Sequence, residues 1–331
     1  MTKMSIERKK IVFWSYQASK TNQSLPMLTE IYYEVDEFNK KHLEKIAAYA
    51  ATIDWYSKRQ LGCMTMSEIM TILIYYHYSH YKNFKSYYEE HVSKELKKDF
   101  PDLVGYDRFV WYIPLAFLPI FCFHLYRCQL SIRTGIYFID STKIEACHPK
   151  RVHQHKVFKG LADWGKTSTG WFYGIKIHLI INNLGEVIQT CFTTGSSSDT
   201  NIATIFYLLK DLSGWVFGDK GYLMNEAKLA FVEYDNTIDF FAKPRNNAKK
   251  KSVKEIPLQA QKMAKKRPII ETVIGIQKNV MELEHTRHRK ATNAFTHSLA
   301  AICAYSFYQR KPKVSIALPL ELGQYCPQMA A

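Results

Sequence analysis

Two aspartates stand out because each lies where a folded chain presents an acid to a ligand. Asp140 directly follows the apolar run at residues 136–139, and Asp219 follows residues 215–217 after one glycine. Burying a carboxylate without a partner is costly, and ligands bind at strand ends in open α/β sheets. We therefore expect both aspartates at one edge of a sheet, facing a common ligand. For either aspartate alone, a turn-capping role is the simpler interpretation.

A third acid, Glu271, falls in a segment with helical periodicity. On a helical wheel the apolar residues at positions 269–281 share one broad arc, and Glu271 lies with Lys278 on a narrower arc. Arg267 projects towards the narrower arc, and Pro268 is typical of a first helical turn. This helix is expected to bury one side and to show a carboxylate flanked by two cations on the other. An ordinary surface ion-pair pattern has the same appearance.

Carboxylates that converge from separate strands repel each other unless a cation lies between them. Mg²⁺ is a hard ion that takes oxygen ligands and keeps several waters. Three carboxylates with two Mg²⁺ ions, for which Mn²⁺ can substitute, make a phosphoryl-transfer site. One ion lowers the pKa of a bound water, and the other stabilises the leaving 3′ oxygen of a phosphodiester. We therefore predict metal-dependent cleavage that needs no Ser or Cys nucleophile.

The charge of the chain favours an anionic polymer as its partner. The formal net charge is +15 and the sequence pI is about 9.3. Residues 243–267 concentrate this excess, with ten Lys or Arg residues and one acid. A solvated, generally basic surface is the alternative explanation, but phosphate binding is a fair interpretation of such a run.

The segment after Asp140 mixes possible zinc ligands with cations. Cys147, His148, His153 and His155 lie close in the sequence, but their spacing fits no standard tetrahedral site and the cations among them would repel a metal ion. We favour a basic loop that contacts DNA phosphates. The predicted DNA contacts, here and beside the other acids, are Lys143, Arg151, His153, His155, Lys156, Lys220, Arg267 and Lys278.

Cysteine usage and the N-terminus favour the cytoplasm. The chain has seven scattered cysteines, which do not form the pattern of a disulfide framework, and it begins without the features of a signal peptide. Residues 109–125 are almost continuously apolar but barely long enough to cross a membrane. Because Pro114 and Pro119 interrupt them, we predict two short buried helical pieces with a break between them, and no membrane partner.

Residues 1–130 have a helical pattern. Thr65 is followed three residues later by Glu68, which is typical of a capping box at a helix start. Residues 75–88 interleave aromatic with basic side chains, a mixture that suits nucleic-acid contacts. Aromatic packing between helices explains the same mixture at least as well. We predict a helical, DNA-binding region over residues 1–130.

From residue 131 the pattern becomes that of an α/β domain. We expect Asp199 to cap a helix that runs to Leu212, a further helix near Asn225, and helices again after Pro268. His178 alternates with apolar residues and is predicted to be a hydrogen-bonded core residue. The predicted strands are residues 136–140, 171–181, 187–192, 215–217 and 238–242, with a hairpin turn at 182–185.

Three blocks of the sequence resemble those of bacterial insertion-sequence transposases of the DDE type. The blocks are residues 138–142 (FIDST), residues 218–222 (GDKGY), and Arg267 four residues before Glu271 with Lys278 seven residues after it. Residues 153–159 and 170–178 are also similar to this family, and in particular to its insertion-sequence 982-like group. The resemblance covers roughly residues 60 to 310.

The resemblance implies a ribonuclease-H-like catalytic domain, a mixed sheet with flanking helices, at residues 131–312 and a tail at 313–331. It implies that Asp140, Asp219 and Glu271 are the catalytic residues and metal ligands. The separation between the last two (271 − 219 = 52 residues) leaves no room for the large insertion domain of some relatives. One departure is Ala264, where related sequences often carry a tyrosine.

Such a transposase binds double-stranded DNA at the terminal inverted repeats of its element, cleaves it and joins the 3′-OH ends to target DNA. Bringing two ends together implies at least a homodimer on DNA, in the nucleoid of a bacterial cytoplasm. Two alternatives remain: a ribonuclease-H-like nuclease or resolvase without strand transfer, and a non-catalytic DNA-binding protein descended from a transposase. The three intact carboxylates disfavour the second.

Overall fold

The protein is described by a computed structural model, and its described residues form two compact units. One unit comprises the described residues up to His124 together with Val280–Phe307, and the other comprises Leu125–Asn279 with the residues from Tyr308 onwards. The predicted division at residues 130 and 312 stays a prediction. The described residues are 24–54, 56, 61–167, 170–224, 229, 237–242, 257–284 and 288–315.

Three predictions fall wholly or mostly outside the described residues: the helix near Asn225, most of the basic segment at 243–267, and the tail after residue 315. The described helices are α1 Ser24–Ala51, α2 Met66–Tyr76, α3 Tyr106–Tyr112, α4 Phe117–Leu130, α5 Ile202–Leu209, α6 Leu258–Ala264, α7 Pro268–Asn279 and α8 Ala291–Phe307. Shorter helical pieces occupy Phe84–Ser86, Tyr87–Val92, Ile113–Ala116, Pro149–Gln154 and Lys220–Tyr222.

The first unit is built around α2, which is buried along its whole length. The predicted capping box is present, because Glu68 N donates to Thr65 Oγ1 at 3.2 Å and Thr65 N donates to Glu68 Oε2 at 2.7 Å. In the aromatic segment after α2, Tyr87 and Tyr88 are fully buried. The structure therefore favours aromatic packing over nucleic-acid contact for these two rings.

The apolar segment from Tyr106 to Leu130 consists of two helical pieces, as its prolines predict. Helix α3 ends at Tyr112, a 3₁₀ turn with Pro114 follows, and α4 begins at Phe117. By length and composition this segment could cross a membrane, and it alone among the described helices could do so. In its most apolar stretch, 56% of the residues are buried inside the protein.

The described part of the second unit contains a six-stranded mixed sheet. Its order is β2-β3-β1-β5-β6, and β4 also pairs with β3. Strand β1 runs antiparallel to β3 but parallel to β5, and β6 is parallel to β5. The strands are β1 Ile136–Cys147, β2 Asp163–Thr167, β3 Gly170–Asn182, β4 Val187–Thr194, β5 Gly214–Gly218 and β6 Ile238–Ala242.

This sheet, with α5 packed on β4 and α7 on β1, confirms the predicted mixed α/β class. Three details differ from the predictions. Strand β1 continues seven residues beyond Asp140, and β2 was not predicted. Helix α5 is capped by Asn201, whose side chain accepts from Thr204 N at 3.1 Å. The prediction that Asp199 caps this helix was therefore wrong.

Candidate active site

Asp140 and Asp219 lie at the same level of two neighbouring parallel strands, Asp140 within β1 and Asp219 directly after β5. Phe138 of β1 lies beside Phe217 of β5, and each aspartate comes two residues later. The apolar residues before each acid are buried, and they fix the strands in the core. This register places the two aspartates at the same level of the sheet, which is the arrangement that the sequence predicted.

Backbone amides hold both aspartates. Asp140 Oδ1 accepts from the N–H of Ser141 at 2.8 Å. Asp219 caps the short 3₁₀ turn after β5, and its Oδ1 accepts from Gly221 N at 2.7 Å. These short local contacts restrict the positions of both carboxylates.

Glu271 reaches the same site through Arg267. One guanidinium nitrogen of Arg267 donates to Asp140 Oδ2 at 2.6 Å, and the other terminal nitrogen donates to Glu271 Oε1 at 2.7 Å. The side chains of Arg267 and Asp140 are each 17% exposed, whereas that of Glu271 is 59% exposed. Arg267 therefore bridges a carboxylate on the sheet and a carboxylate on α7.

The acids influence one another electrostatically. The pKa of Asp140 is raised to about 6, chiefly by burial. The nearby charges of Asp219 and Glu271 also raise it, whereas Arg267 and the Ser141 N–H lower it. A carboxylate that resists ionisation beside two further acids is typical of a site that a cation completes.

The donor set has the chemistry of an Mg²⁺ site, but the described residues do not arrange it as one. Among them, no group of three or more His, Cys, Asp or Glu side chains could hold a metal ion as it stands. At the acidic site, Arg267 supplies the positive charge between Asp140 and Glu271. Three carboxylates offer only hard oxygen donors, which suit Mg²⁺.

The zinc site considered for the loop after β1 can be examined in the same way. In the described chain, His148 accepts from Lys150 N at 3.3 Å, and His155 accepts from Phe158 N at 3.2 Å and stacks on the Phe158 ring. These imidazoles are engaged locally, and no metal-binding group forms among the residues that the structure describes.

Three predicted DNA contacts follow the acids closely in the sequence. Lys278 of α7 donates to the backbone carbonyl of Lys143 on β1 at 3.3 Å. Lys143 also pairs with Glu145 at 2.6 Å and lies over the Phe172 ring. Lys220 directly follows Asp219.

The basic loop is not joined to the acids. Arg151, His153 and Lys156 are exposed, and His155 is half-buried. Within the described residues, no hydrogen bond or ion pair connects these four side chains with Asp140, Asp219 or Glu271.

The structure also reveals polar residues that the sequence did not assign to the site. Asp199 accepts from Ser141, the neighbour of Asp140, at 2.9 Å. Tyr222 is buried behind the Asp219 turn, and its hydroxyl lies 3.4 Å from Nδ1 of His178. His178 is fully buried and bonded to Thr193 at 2.9 Å, which confirms its predicted core role. Burial lowers the pKa of His178 to about 4.

Comparison with known protein families identifies the part of the chain that contains this site. Residues 130–291 match the family model described as a transposase DDE domain. This part of the chain is a transposase DDE domain. The match spans all three predicted acids and the whole mixed sheet. No curated protein matches the chain.

The family confirms the resemblance to DDE-type transposases and the ribonuclease-H-like fold class that it implies. Membership of the insertion-sequence 982-like group and a bacterial origin stay predictions.

Proposed function

We propose that this transposase binds the ends of an insertion sequence, cleaves phosphodiester bonds there and joins the 3′-OH ends to target DNA. The observation that carries the proposal is the convergence of acids at one sheet edge. Asp140 lies in β1, and Asp219 directly follows the adjacent strand β5. Arg267 links Asp140 to Glu271. Hydrolysis and strand transfer need the same groups, because a DNA 3′-OH can take the place of water.

Asp140, Asp219 and Glu271 would hold two Mg²⁺ ions, or Mn²⁺ in their place. When bound, such ions activate the attacking oxygen and neutralise charge on the phosphate. The protein fixes the two aspartates through the amides of Ser141 and Gly221. We assign Arg267 the further role of gripping a phosphate once cations replace it between the acids.

Double-stranded DNA is the proposed partner, both as terminal inverted repeats and as target. Lys143 and Lys278 lie within a few residues of the acids and would contact the backbone near the cut. Lys220 and the basic loop would extend this contact, in keeping with the net charge of +15. Synapsis of two ends would require a homodimer, acting in the cytoplasm.

The test is an assay with labelled DNA from the two ends of the element, taken from the inverted repeats that flank the gene. The full chain is incubated with this DNA and with Mg²⁺ or Mn²⁺, and the products are separated by size. We expect cleavage at the repeat ends and longer products in which those ends are joined to other DNA.

Each alternative gives a different pattern of products. Cleavage without joined products would identify a nuclease or resolvase and contradict strand transfer. Binding of the ends without cleavage in either metal would identify a non-catalytic DNA-binding protein.

A further inference from the structure

Asp199 lies between β4 and α5, and its carboxylate is hydrogen-bonded to the residue after Asp140 and lies close to the turn that carries Asp219. Its Oδ1 accepts from the Ser141 hydroxyl at 2.9 Å, next to Asp140. Its Oδ2 lies 3.3 Å from the position that a Cβ atom at residue 221 would occupy; Gly221 belongs to the turn that carries Asp219. One carboxylate thus lies beside both the Asp140 segment of β1 and the turn of Asp219.

Lys176 fixes the position of this carboxylate. Its ammonium donates to Asp199 Oδ1 at 3.2 Å and to the carbonyl of Ser197 at 2.8 Å. The two side chains are 12% and 26% exposed, so water screens their ion pair less than it would on the surface. Lys176 stands on β3, the neighbour of β1, and therefore anchors Asp199 to the sheet.

The link from Asp199 to Asp140 is one residue long. Ser141 donates its hydroxyl to Asp199 and its backbone N–H to Asp140 Oδ1 at 2.8 Å. Tyr222, which follows Gly221, is buried, and its hydroxyl lies 3.4 Å from Nδ1 of His178. Burial raises the pKa of Tyr222 well above its usual value, so its hydroxyl stays neutral.

Helix capping does not account for Asp199. Asn201 caps α5, and its side chain accepts from Thr204 N. The Asp199 carboxylate, held by a lysine and a serine, adds a negative charge near Asp140 and Asp219, where further negative charge is unfavourable. The position of Asp199 is better explained by a role in orienting Asp140 and the turn of Asp219.

We propose that Asp199, anchored by Lys176, is a positioning residue that sets the placement of Asp140 relative to Asp219. This inference rests on the proposed function, because it assumes that the two aspartates act together on a divalent cation. A residue that orients metal ligands changes metal affinity or activity by about 10- to 100-fold when it is replaced. Misplacement of reacting groups by about 1 Å has effects of similar size.

The test measures Mn²⁺ affinity by calorimetry on the full chain without DNA, and the rate of DNA cleavage alongside it. Asp199→Asn and Ser141→Ala are each expected to weaken Mn²⁺ binding about tenfold. Both should lower kcat while KM for DNA stays unchanged. Ser141→Ala matters because it breaks the link without altering any charge.

Two further variants separate positioning from general damage. Lys176→Arg should retain most of the Mn²⁺ affinity that Lys176→Met loses, because it keeps the cation beside Asp199. Asp239→Asn removes an exposed acid from β6 of the same sheet and should leave Mn²⁺ affinity unchanged.

Unchanged Mn²⁺ affinity and kcat in both Asp199→Asn and Ser141→Ala would overturn the inference. So would a loss in Asp199→Asn that Ser141→Ala does not share, since charge alone would then explain it. A native chain that binds Mn²⁺ but never cleaves DNA would instead contradict the proposed function, and the affinity measurements would still decide the role of Asp199. A native chain that binds no Mn²⁺ would overturn both.

Discussion

The strand side and the helix side of the acidic site are built differently. On the strand side, Asp140 is 17% exposed and bonded to a backbone amide, and Asp219 is likewise held by the amide of Gly221. On the helix side, Glu271 is 59% exposed and accepts a hydrogen bond from the side chain of Arg267. Backbone amides therefore hold the two aspartates in place, whereas Glu271 is held by its ion pair with Arg267.

This difference indicates which part of the site is preorganised. Rigid backbone contacts on the strand side fix Asp140 and Asp219 before any cation or DNA arrives. An exposed ion pair contributes little to stability, so Glu271 is free to exchange Arg267 for another cation. Substitutions on the two sides should therefore have different consequences for stability and activity.

The largest contrast is expected between Asp140→Asn and Glu271→Gln. Both should lower the cleavage rate by about three orders of magnitude or more, because each removes one of the carboxylates proposed to hold the metal ions. Only Asp140→Asn should also stabilise the metal-free protein, by about 1–2 kcal/mol at pH 7. Burial raises the pKa of Asp140 to about 6, so the folded state disfavours the ionised carboxylate.

The sign of this effect can be checked by its pH dependence. The pKa of the Asp140 carboxyl is 3.8 in the unfolded chain and about 6 in the folded protein. The stability of the wild type therefore falls as the pH rises through that window. Urea unfolding should show equal stability for Asp140→Asn and wild type near pH 4 and a growing advantage for the variant up to pH 7. A variant that is less stable than wild type at pH 7 would contradict the argument.

A smaller contrast is expected between two glycines. At Gly221 an added Cβ would lie 2.9 Å from Asp219 Oδ1 and 3.3 Å from Asp199 Oδ2, so Gly221→Ala must displace a carboxylate. We expect cleavage to fall about 10- to 100-fold, with DNA binding retained in a gel-shift assay.

Gly275 is the matched control on the helix side. Nothing lies within 4 Å of an added Cβ there, and the residue is inside α7. Gly275→Ala should keep full cleavage activity and stabilise the protein by up to about 1 kcal/mol. Equal activity of the two alanine variants would show that the strand-end geometry is not critical.

The smallest expected effect concerns Arg267, which joins the two sides. Arg267→Ala should raise the Mn²⁺ affinity of the DNA-free protein roughly threefold to tenfold, because a nearby positive charge is removed. Lys266→Ala removes an exposed neighbouring charge and serves as the control. Calorimetry that finds weaker Mn²⁺ binding in Arg267→Ala would mean that Arg267 organises the acids for the metal and does not compete with it.

Much of the fold and the outline of the site could be predicted from sequence. The apolar runs before Asp140 and Asp219 predicted the strands β1 and β5, and the parallel register between them brings both acids to the same level. The helical arc of residues 269–281 similarly predicted a helix that shows Glu271 on one side. The two strands and the helix are local features, so the pattern of apolar residues alone reveals them.

The remaining features depend on contacts between distant segments. Arg267 is four residues from Glu271, which a helical wheel can show, but 127 residues from Asp140. Asp199 is 58 residues from Ser141, and its polar surroundings in the sequence give no sign of a strand end nearby. Strand β2 lacks an apolar alternation and forms through its pairing with β3.

The most direct test of the central claim compares native protein with Asp219→Ala in metal-dependent cleavage of labelled element-end DNA. Protein concentrations are chosen so that DNA binding is equal, and Asp239→Asn serves as a control for loss of an acid elsewhere in the sheet. We predict that Asp219→Ala binds the ends normally and cuts them at least about a thousandfold more slowly. Cleavage by Asp219→Ala at the native rate would contradict a phosphoryl-transfer site built on these strand-end carboxylates.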